Sequence, residues 1–189
     1  MTTGYQKLLI DLGTGDGKAV LAAAAADDKC LAVGIDANAA GMAEASRRAA
    51  RPGPRGVSNA LFVTAAVERL PSELTATADD VTVNFPWGSL LRGLLVPDPT
   101  VLQMVARIMK SGARLQMVFS VIDHDGASGL RAVGRADDVA HLAKPYAAAG
   151  LRIDGVRPAE EAAIASSSWG RRLRAGSQRP MWLLRAERT

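Results

Sequence analysis

Short apolar, strand-like runs alternate with helix-like segments from the start of the chain. Leu8 to Leu12 is a short apolar run broken only by Asp11, and a glycine-rich turn ends it. Lys18 to Ala26 is rich in alanine and has strong helix propensity. Leu31 to Ile35 is a buried strand by pattern. Ala39 to Ala50 is a helix stopped by Pro52 and Gly53. Ala60 to Thr64 is the third strand, and a short helical piece runs from Glu68 to Leu74. Asp80 to Phe85 carries β-branched residues and reads as a strand that halts at Pro86.

The alternation continues in the second half. Pro99 suits the first turn of a helix running to Lys110, ended by Ser111-Gly112. Arg114 to Ile122 is a strand, Ala136 to Ala149 a helix closed by Gly150, and Leu151 to Val156 another strand. Pro180 to Ala186 is the last strand. Long loops are expected over 86–98 and 123–135, and an insert over 158–179 separates the last two strands. Strands alternating with helices predict an α/β fold, with a mostly parallel seven-stranded sheet and helices on both faces. Such sheets hold their ligands at the carboxyl ends of the strands, near the switch point of strand order.

The length of 189 residues fits one domain, 1–189, with the insert inside it. Hydrophobic residues make up 48% and charged residues 22%, which excludes disorder along the whole chain. The longest apolar run, Ala19 to Ala26, is too short to span a bilayer, and no secretory signal is visible. Cys30 stands alone, which excludes an internal disulfide and a cysteine-built zinc site; no metal-ligand cluster is expected. A reducing, cytoplasmic compartment follows.

The net charge of +4 hints at an anionic partner, and its distribution says more. Arg47, Arg48, Arg51 and Arg55 form one run without an acid between them; Arg171, Arg172, Arg174 and Arg179 form a second. Two such runs are either solvated surfaces or phosphate-binding patches.

Asp11-Leu12-Gly13-Thr14-Gly15-Asp16-Gly17 joins the first strand to the first helix, where glycines let the backbone turn sharply and approach a ligand. Asp36 follows at the end of the second strand, where an acid can accept hydrogen bonds from ribose hydroxyls. The dinucleotide fingerprint G-x-G-x-x-G does not fit, because Lys18 stands at the third glycine. G-x-G-x-G after an acid-terminated strand is similar instead to the S-adenosylmethionine turn of class I methyltransferases. That ligand carries a sulfonium and an ammonium, which an acid such as Asp11 suits electrostatically. Glu68, just past the third strand, lies where such enzymes surround the adenine; by position alone it could equally be a surface acid at a helix start.

Asn84-Phe85-Pro86-Trp87-Gly88-Ser89 follows the fourth strand, in the loop that faces the transferable methyl group in a methyltransferase sheet. Aromatic residues are only 4% of the chain, so Trp87 in such a loop points beyond simple core packing. Trp169, in Ser166-Ser167-Ser168-Trp169-Gly170-Arg171-Arg172, lies between small residues inside the insert. The pair either packs under loops or clamps a flipped base, with the arginines after Trp169 holding phosphates beside it. Trp182, in Met181-Trp182-Leu183-Leu184, is expected in the core.

Four segments together, Asp11 to Gly17, Gly34-Ile35-Asp36, Phe85 to Gly93 and Ser167 to Leu173, resemble the kanamycin–apramycin (Kam) type of aminoglycoside-resistance methyltransferases. The resemblance spans nearly the whole chain, and the string Phe-Pro-Trp-Gly-Ser-Leu-Leu-Arg-Gly is its most specific part. It implies a class I, Rossmann-like enzyme that moves a methyl group from S-adenosylmethionine to N1 of adenine 1408 in 16S rRNA of the 30S subunit. It implies that Trp87 and Trp169 sandwich the adenine. Asp36 would hold the cofactor ribose, and Asp11, Gly13, Thr14 and Gly15 the methionine end. Val67 and Glu68 would border the cofactor adenine, and Asn84, Ser89 and Ser167 would reach it from the loops. Arg47, Arg48, Arg51, Arg172, Arg174 and Arg179 would lie on the RNA. Adenine N1 has a free lone pair at neutral pH, so positioning can replace a general base. His124 and His141 are read as non-catalytic accordingly, and a monomer is the simpler docking unit.

Members of that family usually carry a longer N-terminal leader that forms a hairpin, whereas only ten residues precede Asp11 here. A shortened leader implies weaker 30S methylation, or a truncated gene start. Two other readings stand beside the main one. Asn84-Phe85-Pro86 is similar to the start of a motif in tRNA guanine-N7 enzymes, which continue differently. A degenerate homologue that binds cofactor and RNA without transfer is the second.

Overall fold

The computed structural model describes residues 4–122, 130–160 and 179–189. The strands are β1 (Lys7–Leu12), β2 (Cys30–Asp36), β3 (Ala60–Thr64), β4 (Ala78–Asn84), β5 (Met109–Phe119), β6 (Leu151–Pro158) and β7 (Trp182–Arg188). The helices are α1 (Lys18–Ala26), α2 (Ala39–Ala49), α3 (Gly88–Leu95), α4 (Pro99–Ile108) and α5 (Ala143–Ala148). The strands form one sheet in the order β3-β2-β1-β4-β5-β7-β6. Neighbours from β3 to β5 run parallel, and β7 is antiparallel to both β5 and β6. The order reverses between β1 and β4, so the switch point lies where both strands end in loops.

Alternation along each strand decides what each face meets. β1 sends Leu8, Ile10 and Leu12 into the larger core, with Leu31, Val33 and Ile35 of β2. That core is closed by Leu91 and Leu94 of α3, Val101, Leu102 and Val105 of α4, and Tyr146 of α5. On the other face α1 and α2 bring Val20, Leu21, Ala24 and Ala45 against Ala32 and Ala60. Asp11 belongs to this second face by the same alternation. It is placed in the sheet, yet away from the larger apolar layer.

Four segments differ from expectation. The stretch 68–74 is two 3₁₀ turns, Val67–Arg69 and Ser72–Leu74, with Leu70 extended ahead of Pro71. The stretch 86–98 is not all loop: α3 occupies residues 88–95, because Leu90, Leu91, Leu94 and Leu95 fall at helical spacing and all four are buried. The stretch 136–149 is not one helix. A 3₁₀ segment, Ala136–Leu142, precedes α5. Pro145 explains the break, since it has no N–H to give to the carbonyl of residue 141. The helix expected to reach Lys110 stops at Ile108. Met109 pairs with Ala78 instead and is 2% exposed, so β5 begins there. Asp98 caps α4 by accepting from the Thr100 N–H at 2.7 Å, with Pro99 in the first turn as expected. Trp182 is buried, and its indole N–H donates to the Val133 carbonyl at 2.8 Å, as a core residue should. Most of the expected insert, residues 161–178, lies outside the described residues.

Candidate active site

The turn after β1 is built by backbone geometry that side chains resist. Gly13, Gly15 and Gly17 have φ of 70°, 59° and 71°. This left-handed region costs an L-residue with a Cβ roughly 1 kcal/mol or more. The turn is held to β2 by hydrogen bonds: the Gly13 and Thr14 N–H groups donate to the Ile35 carbonyl at 2.8 and 3.1 Å. Gly41 lets α2 come close, because a Cβ there would stand 3.0 Å from the Gly15 carbonyl oxygen.

Asp36 ends β2 beside this turn. Its Oδ2 accepts from the Gly15 N–H at 2.9 Å, and its Oδ1 from the Asn38 N–H at 2.8 Å. Both oxygens are thereby fixed in direction, and each keeps acceptor capacity for a ligand hydroxyl. Asn38 also caps α2, accepting from the N–H groups of Ala40 and Gly41.

Asp11 is 2% exposed. Its Oδ1 accepts from the Thr82 hydroxyl at 2.7 Å and from the Asn84 amide at 3.0 Å, both on the neighbouring strand β4. Burial pushes the Asp11 pKa up, and the nearby negative charge of Asp36 adds to this; Thr82, Thr14 and Asn84 oppose it by favouring the carboxylate. The Thr14 hydroxyl faces Asp11 outside hydrogen-bonding geometry, so its buried oxygen has no partner among the described residues. A buried acid that gains from a nearby cation, and an unmatched hydroxyl beside it, are the marks of a polar ligand site.

An open cleft of about 350 Å³ runs along the ends of β1, β2 and β4. Small-molecule sites run from about 300 to 1,000 Å³. Gly13, Gly15, Asp36, Val67, Glu68 and Ser89 line it, together with Phe85 and Trp87. Trp87 is 51% exposed at its rim, an unusual position for the largest apolar side chain. Phe85 carries backbone strain, with φ of 50° in a residue that is neither glycine nor asparagine and that precedes a proline. Its ring is buried with Val118, Met181 and Leu183, and its N–H donates to the Val118 carbonyl at 2.7 Å. Those contacts hold the strained turn in place and leave Trp87 facing outward.

A family model described as NpmA, 16S rRNA (adenine(1408)-N(1))-methyltransferase, matches residues 1–188. The chain belongs to this family. Membership makes it an rRNA adenine-N1 methyltransferase. A 16S rRNA (adenine(1408)-N(1))-methyltransferase of Escherichia coli is 32% identical over 184 residues, covering 93% of this chain and 84% of the relative. One from Streptoalloteichus tenebrarius is 34% identical over 186 residues, with the same coverage of both chains. The enzyme of the same description from Catenulisporales acidiphilia, solved as a tryptophan-to-alanine variant with its cosubstrate SAM, superposes with a TM-score of 0.90 at 31% identity. That match covers 100% of this chain and 88% of the other. The aminoglycoside resistance methyltransferase NpmB1 gives a TM-score of 0.85 at 38% identity, covering 100% and 90% of the two chains.

In this family member the remaining expected residues are distributed as follows. Val67 is buried in a 3₁₀ turn, Val67–Arg69, directly after β3, and Glu68 is half-buried beside it. Asn84 is tied to Asp11 rather than to the cleft lining. Arg47 and Arg48 lie exposed in the last turn of α2, and Arg51 is exposed just beyond it. Arg179 is half-buried, with its Nε donating to the Ser120 hydroxyl at 3.4 Å at the end of β5. Ser167, Trp169, Arg172 and Arg174 lie outside the described residues, as does His124. His141 sits with Nε2 3.1 Å from the Leu95 carbonyl, away from the cleft. The sequence did not single out Asn38 or Gly41. An asparagine just before a helical stretch is the signal that would have found the first.

Proposed function

We propose that the cleft holds S-adenosylmethionine and presents its methyl group to N1 of adenine 1408 in 16S rRNA of the 30S subunit. The observation that carries the reading is the half-exposed Trp87 at the rim of the cleft that also holds the fixed Asp36 carboxylate. The residues fit this cofactor. Asp36 would receive the ribose hydroxyls, and Val67 and Glu68 would border the adenine. Gly13, Thr14, Gly15 and the buried Asp11 would meet the cationic methionine end, and Ser89 and Asn84 would close it from the β4 side. Ser167 would join them from the insert.

When bound, the cofactor supplies an electrophilic methyl group, and adenine N1 supplies the lone pair that receives it. The chain's task is to orient and to exclude water. Trp87 would stack on one face of the flipped adenine and Trp169 on the other, each contact worth about 1–3 kcal/mol. Arg47, Arg48 and Arg51 would lie on rRNA phosphates, and Arg172, Arg174 and Arg179 would do so near the target nucleotide. The whole chain would work as one domain and as a monomer on the subunit, in the cytoplasm. Among the described residues no helix is long and apolar enough to cross a membrane. The positive charge left on the methylated adenine would repel cationic aminoglycosides.

The test combines purified protein, radiolabelled S-adenosylmethionine and unmethylated 30S subunits, followed by primer extension across adenine 1408. A stop at that base is the expected result. Label incorporated without that stop would assign another target, and absence of label with cofactor bound would assign a non-catalytic role.

A further inference from the structure

We propose that the outward face of α3 is a docking track for the rRNA backbone, on which Arg92 takes a phosphate beside the nucleotide being methylated. The proposal rests on the function given above.

The inner face of α3 is consumed by the core through Leu90, Leu91, Leu94 and Leu95. Ser89, Arg92 and Val96 are three and four residues apart, so they share the opposite face. This strip joins two cavities. Ser89 lines the cofactor cleft. Val96 lines a second cavity of about 600 Å³, bounded also by Leu95, Leu130, Arg131, Val139 and His141. Arg92 stands midway between them.

The Arg92 side chain is exposed and makes no hydrogen bond or ion pair among the described residues, while its carbonyl accepts from the Val96 N–H at 2.7 Å. The nearest acid in sequence, Asp98, is engaged with the Thr100 N–H. Trp87 at one end of α3 and Val96 at the other are 51% and 53% exposed. Among the described residues the strip thus offers one cation without a side-chain partner between two exposed apolar groups, continuous with the rim proposed to clamp the adenine. A polyanion with flat apolar bases matches this pattern. At about 1.5 Å per residue, Ser89 to Val96 spans roughly 10 Å, the length of about three stacked nucleotides. A competing role exists: an arginine in the last turn of a helix interacts favourably with the helix dipole and needs no partner. The two roles differ in their response to salt.

The test measures binding to 30S subunits across a salt series for the wild type, Arg92→Ala, Arg92→Lys and Arg92→Glu. Cofactor affinity and Tm are measured alongside. Loss of one phosphate contact lowers the magnitude of the slope of log K against log salt by about 0.7–0.9. The expected result is that drop in Arg92→Ala, a larger loss of affinity in Arg92→Glu, and retention in Arg92→Lys. Cofactor affinity stays unchanged throughout. An unchanged slope in Arg92→Ala, with wild-type methylation intact, overturns the track and leaves the function standing. A salt-independent loss accompanied by a lower Tm overturns it in favour of the dipole role. A wild type that neither binds nor methylates 30S overturns both readings.

Discussion

The two loops that face each other across the switch point are built on opposite principles. The turn after β1 uses glycine at each left-handed position, and its N–H groups are anchored to Ile35 and Asp36. The loop after β4 places a phenylalanine in the left-handed region and leaves a tryptophan half in solvent. In the first, sequence and backbone agree, so the cradle is unstrained. In the second, tertiary contacts force a conformation that the residue resists. The unstrained cradle is the part proposed to hold a cofactor common to many enzymes, whereas the strained loop carries the group proposed to select the substrate base.

Removing the exposed aromatic should separate the two loops most clearly. Trp87→Ala is expected to lower 30S methylation by up to about a hundredfold, since one stacking face is worth up to about 3 kcal/mol. Calorimetric affinity for S-adenosylmethionine should stay within a few-fold. A parallel loss of cofactor affinity would place Trp87 in the cradle instead.

Phe85→Ala probes what holds the strained loop. Truncating a buried phenylalanine costs about 3 kcal/mol, and alanine keeps the Cβ that resists positive φ, so Tm should fall clearly. Phe85→Leu should keep most of the stability yet reduce kcat several-fold with cofactor affinity preserved. Full activity in Phe85→Leu would show that the ring does not position Trp87.

Asp36→Ala addresses the cradle. It removes two hydrogen bonds from backbone N–H groups and the proposed ribose acceptor, and contacts to a charged group are worth about 1.5–3 kcal/mol each. Cofactor affinity should drop tenfold or more, read by calorimetry; an unchanged value would contradict the assignment.

Asp11→Asn is the finest probe. Burial raises the Asp11 pKa, so the folded chain holds this proton more tightly than the unfolded chain does. The carboxylate therefore costs stability above that pKa, and the amide variant should be as stable as the wild type or more so at neutral pH. The carboxylate is also the form a cationic ligand favours. Wild-type cofactor affinity should rise as pH climbs through the Asp11 pKa, and the variant should lose both this rise and up to about tenfold in affinity. A pH profile identical in both proteins would remove Asp11 from the methionine end.

Local signals fixed much of this molecule. The glycines after β1, the acid ending β2 and the proline opening α4 declare themselves because each answers a constraint within a few residues: a positive φ, a strand end, a first helical turn. The mostly parallel sheet with helices on both faces followed from the alternation of strands and helices, and the family from short motifs; the order of the strands came only with the structure. Other features depend on distant partners. α3 has no clear local signal, because its buried leucines matter only once α4 and the sheet lie beneath them. The strand β5 starts early because Met109 finds Ala78. The positive φ of Phe85 has no sequence signal, since residues before proline ordinarily avoid it. Val118, Met181 and Leu183, which hold the ring, come from two other strands and the chain just before one of them. Sequence specifies what neighbours along the chain can enforce. Packing between elements far apart decided the strained loop, the burial of Asp11 and the bare strip around Arg92, because those energies exist only after the sheet has assembled.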